Sequence, residues 1–383
     1  MTKAELIARI EELEKKASDF KNEEQAIKLT LNSIYGACGN KWFSLFNLDV
    51  AEAVTLQGQD LIKYAERVIN RYFREFWEKD YDLHEKLGVR NATRVNDDLS
   101  VYGDTDSQYI RFDAVINSCE FDYSPLEFIL KLNETRLAGY LKKCFDIYAE
   151  KSGTPNNQDF ELENISRNGI FLGKKKYVLN LSWEAPGIHV EDLSKIKPTG
   201  VEIAQGGTPP FAREKTKMIL RYIFEQGKKL NMRELIKILR KTKEEFKIQQ
   251  PEMISMGTQI SDYDKYVLGD TTELILALKC PAHVRASGHY NLLLNNSKLK
   301  TKYSMIRSSE KIRWYYAKTR QNDPEGKFNV FAHPQGVFPV EFAPPIDYDA
   351  QFNRVILDPI NRFIEAMGFN PLSSGLVLIN VLV

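Results

Sequence analysis

The 383-residue sequence reads as a mixed α+β protein: an antiparallel sheet flanked by helices, followed by a second α+β part. Three features point there. Apolar residues recur at helical spacing over five long stretches, the mark of helices with one buried face. Short runs rich in Val, Tyr, Ile and Phe flank a tight polar turn at Gly103–Asp106, as the strands of a hairpin do. Gly206-Gly-Thr-Pro-Pro210 then interrupts the chain, and helical periodicity resumes beyond it.

The first helical pattern runs from about Lys3 to Ile34. Leu6, Ile10, Leu13, Ala17, Phe20, Ile27, Leu31 and Ile34 form its stripe, and Glu and Lys fill the solvated positions. A second covers Val50 to Glu78, with Tyr64, Ala65, Val68, Ile69, Tyr72 and Phe73 on its apolar face. A third covers Ser124 to Tyr148, and the aromatics of both read as core. Leu99–Tyr102 and Gln108–Phe112 are β-prone, and Asn157 to Ile165 reads as a further strand. Two amphipathic helices follow the breaker, at about Phe211–Gln226 and Met232–Lys247.

The length predicts two or three subdomains. With 43% hydrophobic and 27% charged residues and a net charge of +1, the composition is that of an ordinary soluble protein. Overall charge therefore says nothing about a nucleic-acid partner; only local clustering can. Between Pro281 and Arg320 nine basic residues, Arg285 among them, face one acidic residue, Glu310. Such clustering is the electrostatic footprint of phosphate binding. Tyr303, Trp314, Tyr315 and Tyr316 are interleaved with it, to pack on a duplex or to support the fold. His283 and His289 have no Cys or carboxylate cluster beside them, which argues against a metal site there. Cys38, Cys119, Cys144 and Cys280 are widely spaced, as in a reducing compartment such as the cytoplasm. The first twenty residues alternate charged and apolar positions, unlike a signal peptide, and no apolar run reaches the length of a membrane span.

Three stretches carry chemistry. In Val101-Tyr-Gly-Asp-Thr-Asp-Ser-Gln-Tyr-Ile110, Asp104 and Asp106 stand two residues apart between β-prone segments. Side chains at i and i+2 of an extended chain share a face, and Gly103 with Asp-Thr-Asp also suits a tight hairpin. Mg²⁺ wants carboxylate oxygens, one or two per ion, with substrate phosphates completing its shell. The pair thus suits phosphoryl transfer, although a lone Asp-x-Asp is more often a self-capping turn. Lys28, Asn32 and Tyr35 lie at i, i+4 and i+7, so a cation, an amide and an aromatic project from one side of a helix. Finally, Lys174, Lys175 and Lys176 stand between Phe171-Leu and Tyr177-Val-Leu, a charged edge or a strand that tracks phosphates.

Tyr-Gly-Asp-Thr-Asp-Ser at 102–107 resembles the palm-domain carboxylate motif of family B DNA polymerases. Lys-x-x-x-Asn-Ser-x-Tyr-Gly at 28–36 resembles the fingers-helix motif of that family, and Lys174-Lys-Lys-Tyr177 its primer-gripping motif. Thr199-Gly-Val-Glu202 with Thr208-Pro209 resembles the palm-to-thumb junction of tailed-bacteriophage replicative polymerases. Lys279-Cys-Pro-Ala-His-Val-Arg285 with Tyr290-Asn291 resembles a thumb segment of the same enzymes. The resemblance extends to about Phe369.

It implies template-directed 5′→3′ DNA synthesis from deoxynucleoside triphosphates on a primer–template. Two Mg²⁺ ions, with Mn²⁺ as an alternative, would be held by Asp106, bridging both, and by Asp104. Lys28 and Asn32 would hold the incoming triphosphate, and Tyr35 would monitor the nascent base pair. Lys174, Lys175, Tyr177 and Arg285 would contact primer and duplex, with Glu163 as an acidic neighbour of the metals. The implied domains are part of the fingers at 1–36, a palm with antiparallel sheet at 37–207 and an α+β thumb at 208–383.

The sequence departs from that family in two respects. It lacks the Asp-x-x-Ser-Leu-Tyr-Pro-Ser-type motif that supplies a second essential aspartate on a separate palm strand. The expectation is therefore the C-terminal portion of a split polymerase, inactive without an N-terminal chain carrying that strand, the exonuclease and the other fingers helix. Exposed apolar surface on the first helix is expected without that partner. A non-catalytic DNA-binding remnant is the alternative. The tail Leu372–Val383 also lacks the aromatics of a sliding-clamp peptide, which argues against clamp docking by it.

Overall fold

The computed structural model describes residues 3–185, 188–189, 195–268, 273–318, 323 and 325–375. Arg320 and most of the C-terminal tail lie outside them. The chain divides into two compact units, Met1–Glu161 and Leu162–Val383, and Gly206–Pro210 falls inside the second.

The first unit opens with helix α1 (Lys3–Cys38). Glu, Lys, Leu and Ala give it high intrinsic propensity, and ion pairs such as Glu12–Lys16 at 2.7 Å brace it one turn apart. Every residue from Glu5 to Gly36 is exposed, including Leu6, Ile10, Leu13, Phe20, Ile27, Leu31 and Ile34. The apolar surface expected on this helix is thus present. A loop closed by the Asn47 amide donating to the Cys38 carbonyl (2.9 Å) leads to α2 (Leu48–Arg71). There the Asn47 side chain caps the Val50 amide. This helix continues through a π-helical turn, Tyr72–Phe76, and a 3₁₀ turn, Trp77–Lys79, into α3 (Tyr81–Leu87).

Of the buried stripe Ala65, Val68, Ile69, Tyr72, Phe73 and Trp77, the last four share one core with Leu83, Leu87, Val115, Phe128 and Leu132. Asp80 joins its parts. It caps Leu83, accepts the Tyr72 hydroxyl at 2.7 Å and pairs with Arg136 at 2.8 Å. Strands β1 (Ser100–Asp104) and β2 (Ser107–Ile110) form an antiparallel hairpin that packs against α2. Helices α4 (Asp113–Asn117), α5 (Pro125–Leu132) and α6 (Ala138–Lys151) complete the unit, with a second π-helical turn, Asn133–Leu137, between the last two. The strand expected from Asn157 begins only at Asn164. Residues 157–163 are irregular, and Phe160 is held by stacking on Phe145 (4.9 Å) rather than by a ladder.

In the second unit β3 (Asn164–Gly173) and β4 (Lys176–Glu184) form a long antiparallel hairpin. Strands β5 (Ile188–His189) and β6 (Ile196–Thr199) pair with the other edge of β4. Helices α7 (Pro210–Gln226) and α8 (Met232–Lys247) follow, each confirming the periodicity of its sequence. Short helix α9 (Pro251–Ile254) leads into a second antiparallel sheet of β7 (Met256–Gln259), β8 (Lys311–Tyr316) and β9 (Val330–Pro334). Short α10 (Tyr263–Tyr266) and α11 (Ala282–Asn295) lie between β7 and β8, with α11 packed on β9. The chain then runs through α12 (Tyr348–Phe352), a π-helical turn and α13 (Asp358–Ala366). One core joins Val178 and Ile196 to Ile219, Leu239, Tyr290, Phe331 and Phe363. The molecule is a mixed α+β protein with small antiparallel sheets.

Gly200 is needed by this packing. Its φ is +61°, and a Cβ there would stand 1.8 Å from the Lys175 carbonyl oxygen at the tip of the β3–β4 hairpin. Gly200→Ala should therefore cost roughly 2–4 kcal/mol from left-handed strain and the forced shift of backbone. Denaturant unfolding measures it, and an unchanged midpoint would contradict the close approach.

Candidate functional site

In the first unit the two carboxylates stand at the tip of the β1–β2 hairpin. Asp104 pairs with Ser107 across the ladder, so Thr105 and Asp106 make the two-residue turn. Thr105 has φ +52°, and the Asp106 amide donates to the Asp104 carbonyl at 2.6 Å. Of the two arrangements expected for this pair, the shared face of an extended strand and the tight hairpin, the second is found, because Thr105 leaves the β region. Asp104 is half-buried and Asp106 exposed. The Ser107 hydroxyl donates to the Asp104 carbonyl and the Thr105 hydroxyl to the Asp104 carboxylate, both at 3.1 Å.

Helix α2 fixes where this tip lies. Asn70 is buried among the apolar residues of α2, accepts the Leu99 amide at 2.9 Å and donates to Asp98 at 2.8 Å. The strand is thereby tied to the helix just before Ser100. Gly103 allows close packing: a Cβ there would come within 3.3 Å of Ile62 and 3.0 Å of the Gln108 side chain opposite. Asn70, Ile62 and Gln108 are site-building residues that the motifs did not reveal. A polar residue inside the stripe Val68-Ile69-x-x-Tyr72 was the one available signal.

Lys28, Asn32 and Tyr35 share one face of α1, all exposed. Lys28 pairs with Glu24 at 2.6 Å, and that carboxylate raises its pKa, so it is a cation throughout the physiological range. Carboxylate oxygens at an exposed hairpin tip are the hard donors that Mg²⁺ prefers, two from the chain leaving room for phosphates and water. Among the described residues no group of three or more His, Cys, Asp or Glu gathers at such a point.

In the second unit Lys174 and Lys175 form the turn between β3 and β4, closed by Gly173 opposite Lys176, with Lys175 at φ +59°. All three lysines are exposed. Tyr177 is buried with its ring 5.3 Å from Phe171, so it braces the hairpin from beneath. Glu163 pairs with Lys197 at 3.2 Å.

In the basic segment Lys298, Lys300, Lys302, Arg307, Lys311 and Lys318 are exposed. Arg285 is half-buried on α11 and donates to the Asn329 side chain at 2.9 Å. Of the interleaved aromatics, Tyr303 and Tyr315 are buried and support the fold. His289 is buried too, its Nδ1 2.8 Å from the Val330 carbonyl. Burial pushes His283 below the usual imidazole range, so it adds no charge near pH 7. No described helix is long and apolar enough to cross a membrane.

Residues 1–122 match the family model for DNA polymerase family B. Over 88% of its length the chain is 25% identical to the DNA-directed DNA polymerase of Escherichia phage RB69, covering 36% of that protein. Against the DNA-directed DNA polymerase of Enterobacteria phage T4 it is 25% identical over 96% of its length, covering 40% of the relative. The DNA polymerase of Pyrococcus glycovorans is 25% identical over 65% of the chain. The chain thus spans about two fifths of the length of the two phage proteins.

Proposed function

Because the chain belongs to the family B DNA polymerases, of the phage type, we propose that it is the C-terminal part of a template-directed polymerase extending primers 5′→3′. The observation that carries this reading is the Asp104–Thr105–Asp106 hairpin tip, with Asp106 exposed in a turn that α2 fixes in place. Asp106 and Asp104 would hold Mg²⁺, or Mn²⁺ in its stead. When bound, the ions lower the pKa of the primer 3′-hydroxyl and neutralise charge on the leaving pyrophosphate.

The chain's own residues supply orientation. Lys28 offers a permanent cation to the triphosphate and Asn32 an amide one turn further on. Tyr35, on the same face, presents its ring to the nascent base pair. Lys174 and Lys175 offer two cations on a rigid turn to the primer phosphates, and Tyr177 holds that turn from below. Arg285 serves the duplex in the same way. In this reading residues 1–36 belong to the fingers, 37–207 to the palm and 208–383 to the thumb. The remaining carboxylate comes from polymerase sequence outside these residues, an N-terminal chain that also carries the exonuclease.

Primer–template binding tests the reading without requiring turnover. Replacing Lys174 and Lys175 together by Ala should flatten the slope of log affinity against log salt by about two, roughly one for each phosphate no longer neutralised. Titration of a labelled primer–template at several salt concentrations measures it. An unchanged slope would remove the hairpin from the primer site.

A further inference from the structure

The lysine turn between β3 and β4 holds a conformation that its own residues do not favour. Lys175 sits at φ +59°, in the left-handed region where a Cβ is strained. A residue other than Gly keeps that conformation only where its surroundings impose it. Here a single backbone segment does so. Gly200, itself at φ +61°, comes so close that a Cβ on it would stand 1.8 Å from the Lys175 carbonyl oxygen and 3.0 Å from the carbonyl carbon.

The two sides of this contact are not equally firm. On the Gly200 side, β6 ends at Thr199, which pairs with Tyr177 of β4. Val201 and Ile203 are buried in the core that contains Ile219 and Phe363. Glu202, between them, pairs with Arg362 of α13, and its carbonyl accepts the Thr208 hydroxyl. On the other side Lys174, Lys175 and Lys176 are all exposed. A group added at Gly200 therefore moves the turn, and the turn carries the lysines.

We propose that Gly200 is a positioning residue for the lysine turn: its bare backbone seats the Lys175 carbonyl and so fixes where two cations stand. This role rests on the assignment of Lys174 and Lys175 to primer phosphates and adds the residue that sets their place. A carbonyl oxygen at 1.8 Å must retreat by roughly 1 Å or more to reach ordinary contact. A shift of that size takes an ammonium out of hydrogen-bonding reach of a phosphate held by the rest of the duplex.

Equilibrium binding of a labelled primer–template to the full chain at several salt concentrations tests this. Gly200→Ala should weaken binding at low salt about tenfold and flatten the slope of log affinity against log salt by about one. Gly368→Ala is the control. It imposes left-handed strain at φ +86° in the same unit, with nothing within 4 Å of the added Cβ, and should leave the slope unchanged. Gly200→Asn, a residue type that tolerates the left-handed region, keeps the clash with less strain and should act as Gly200→Ala does. Circular dichroism checks the fold of each variant. An unchanged slope in both Gly200 variants overturns the proposal, and an equal change in Gly368→Ala does so by tracing the effect to stability alone. Failure of both Gly200 variants to fold overturns it as well, since Gly200 would then serve the fold instead of the turn. The chain with Lys174 and Lys175 both replaced by Ala separates the two readings. If it flattens the slope and Gly200→Ala does not, the primer assignment stands and the role of Gly200 falls. If it changes nothing, the assignment has failed and this role falls with it.

Discussion

Asp106→Ala should lower primer extension by the completed polymerase about a thousandfold or more while leaving primer–template affinity within about twofold. The separation of the two effects follows from where Asp106 sits. It occupies an exposed two-residue turn whose geometry is set by Thr105, the Asp106 backbone amide and the Ser107 hydroxyl, none of which needs the Asp106 carboxylate. The substitution would therefore remove the carboxylate assigned to the cations without disturbing the hairpin, and it alters none of the residues assigned to DNA. Asp106→Asn separates charge from shape and should lose nearly as much. Single-turnover incorporation and equilibrium binding on the same preparations check both halves, and wild-type incorporation by Asp106→Ala would refute the assignment.

The largest loss of stability in the first unit should come from Trp77→Ala. Trp77 is fully buried, lies within aromatic contact of Phe73, Phe128 and His84, and donates its indole N–H to Ser118 at 3.0 Å. Truncation leaves a cavity and removes that donor, at a cost of about 3–5 kcal/mol. That is a large share of the stability of a single domain. The first unit should unfold at markedly lower denaturant, with the hairpin that Asn70 anchors to the same helix. Trp77→Phe should recover much of the loss. A variant whose transition is unmoved would show that this core does not hold the unit together.

The helices were legible because burial at one face imposes a period, and α2, α5 with α6, α7 and α8 all follow it. The π-helical turns inside two of the long helical stretches were not, since one residue of widening hardly alters an apolar stripe. The aspartate turn was readable as a turn, whereas the lysine run read as a strand and instead turns at Lys174 and Lys175; the residues at both tips, Thr105 and Lys175, take left-handed conformations that no residue type there demanded. Phe160-Glu-Leu-Glu163 alternates apolar and polar as a strand would, but the ladder with β4 starts only at Asn164, opposite Glu184. Trp314, Tyr315 and Tyr316 looked equally suited to a duplex or a core. On β8 the strand alternation decides, burying Tyr315 and leaving its neighbours half-exposed. The supports of the carboxylate tip, Asn70 and Ile62, lie some thirty to forty residues away in sequence, and only the fold brings them to it.

Primer extension with Mg²⁺ and the four deoxynucleotides tests the functional account most directly, first with this chain alone and then with an N-terminal family B polymerase portion added. Template-directed extension is expected in the mixture only, and is lost with Asp106→Ala. Extension by this chain alone would contradict the need for a completing carboxylate. DNA binding by both samples without extension in either would contradict the polymerase reading and favour a non-catalytic DNA-binding role.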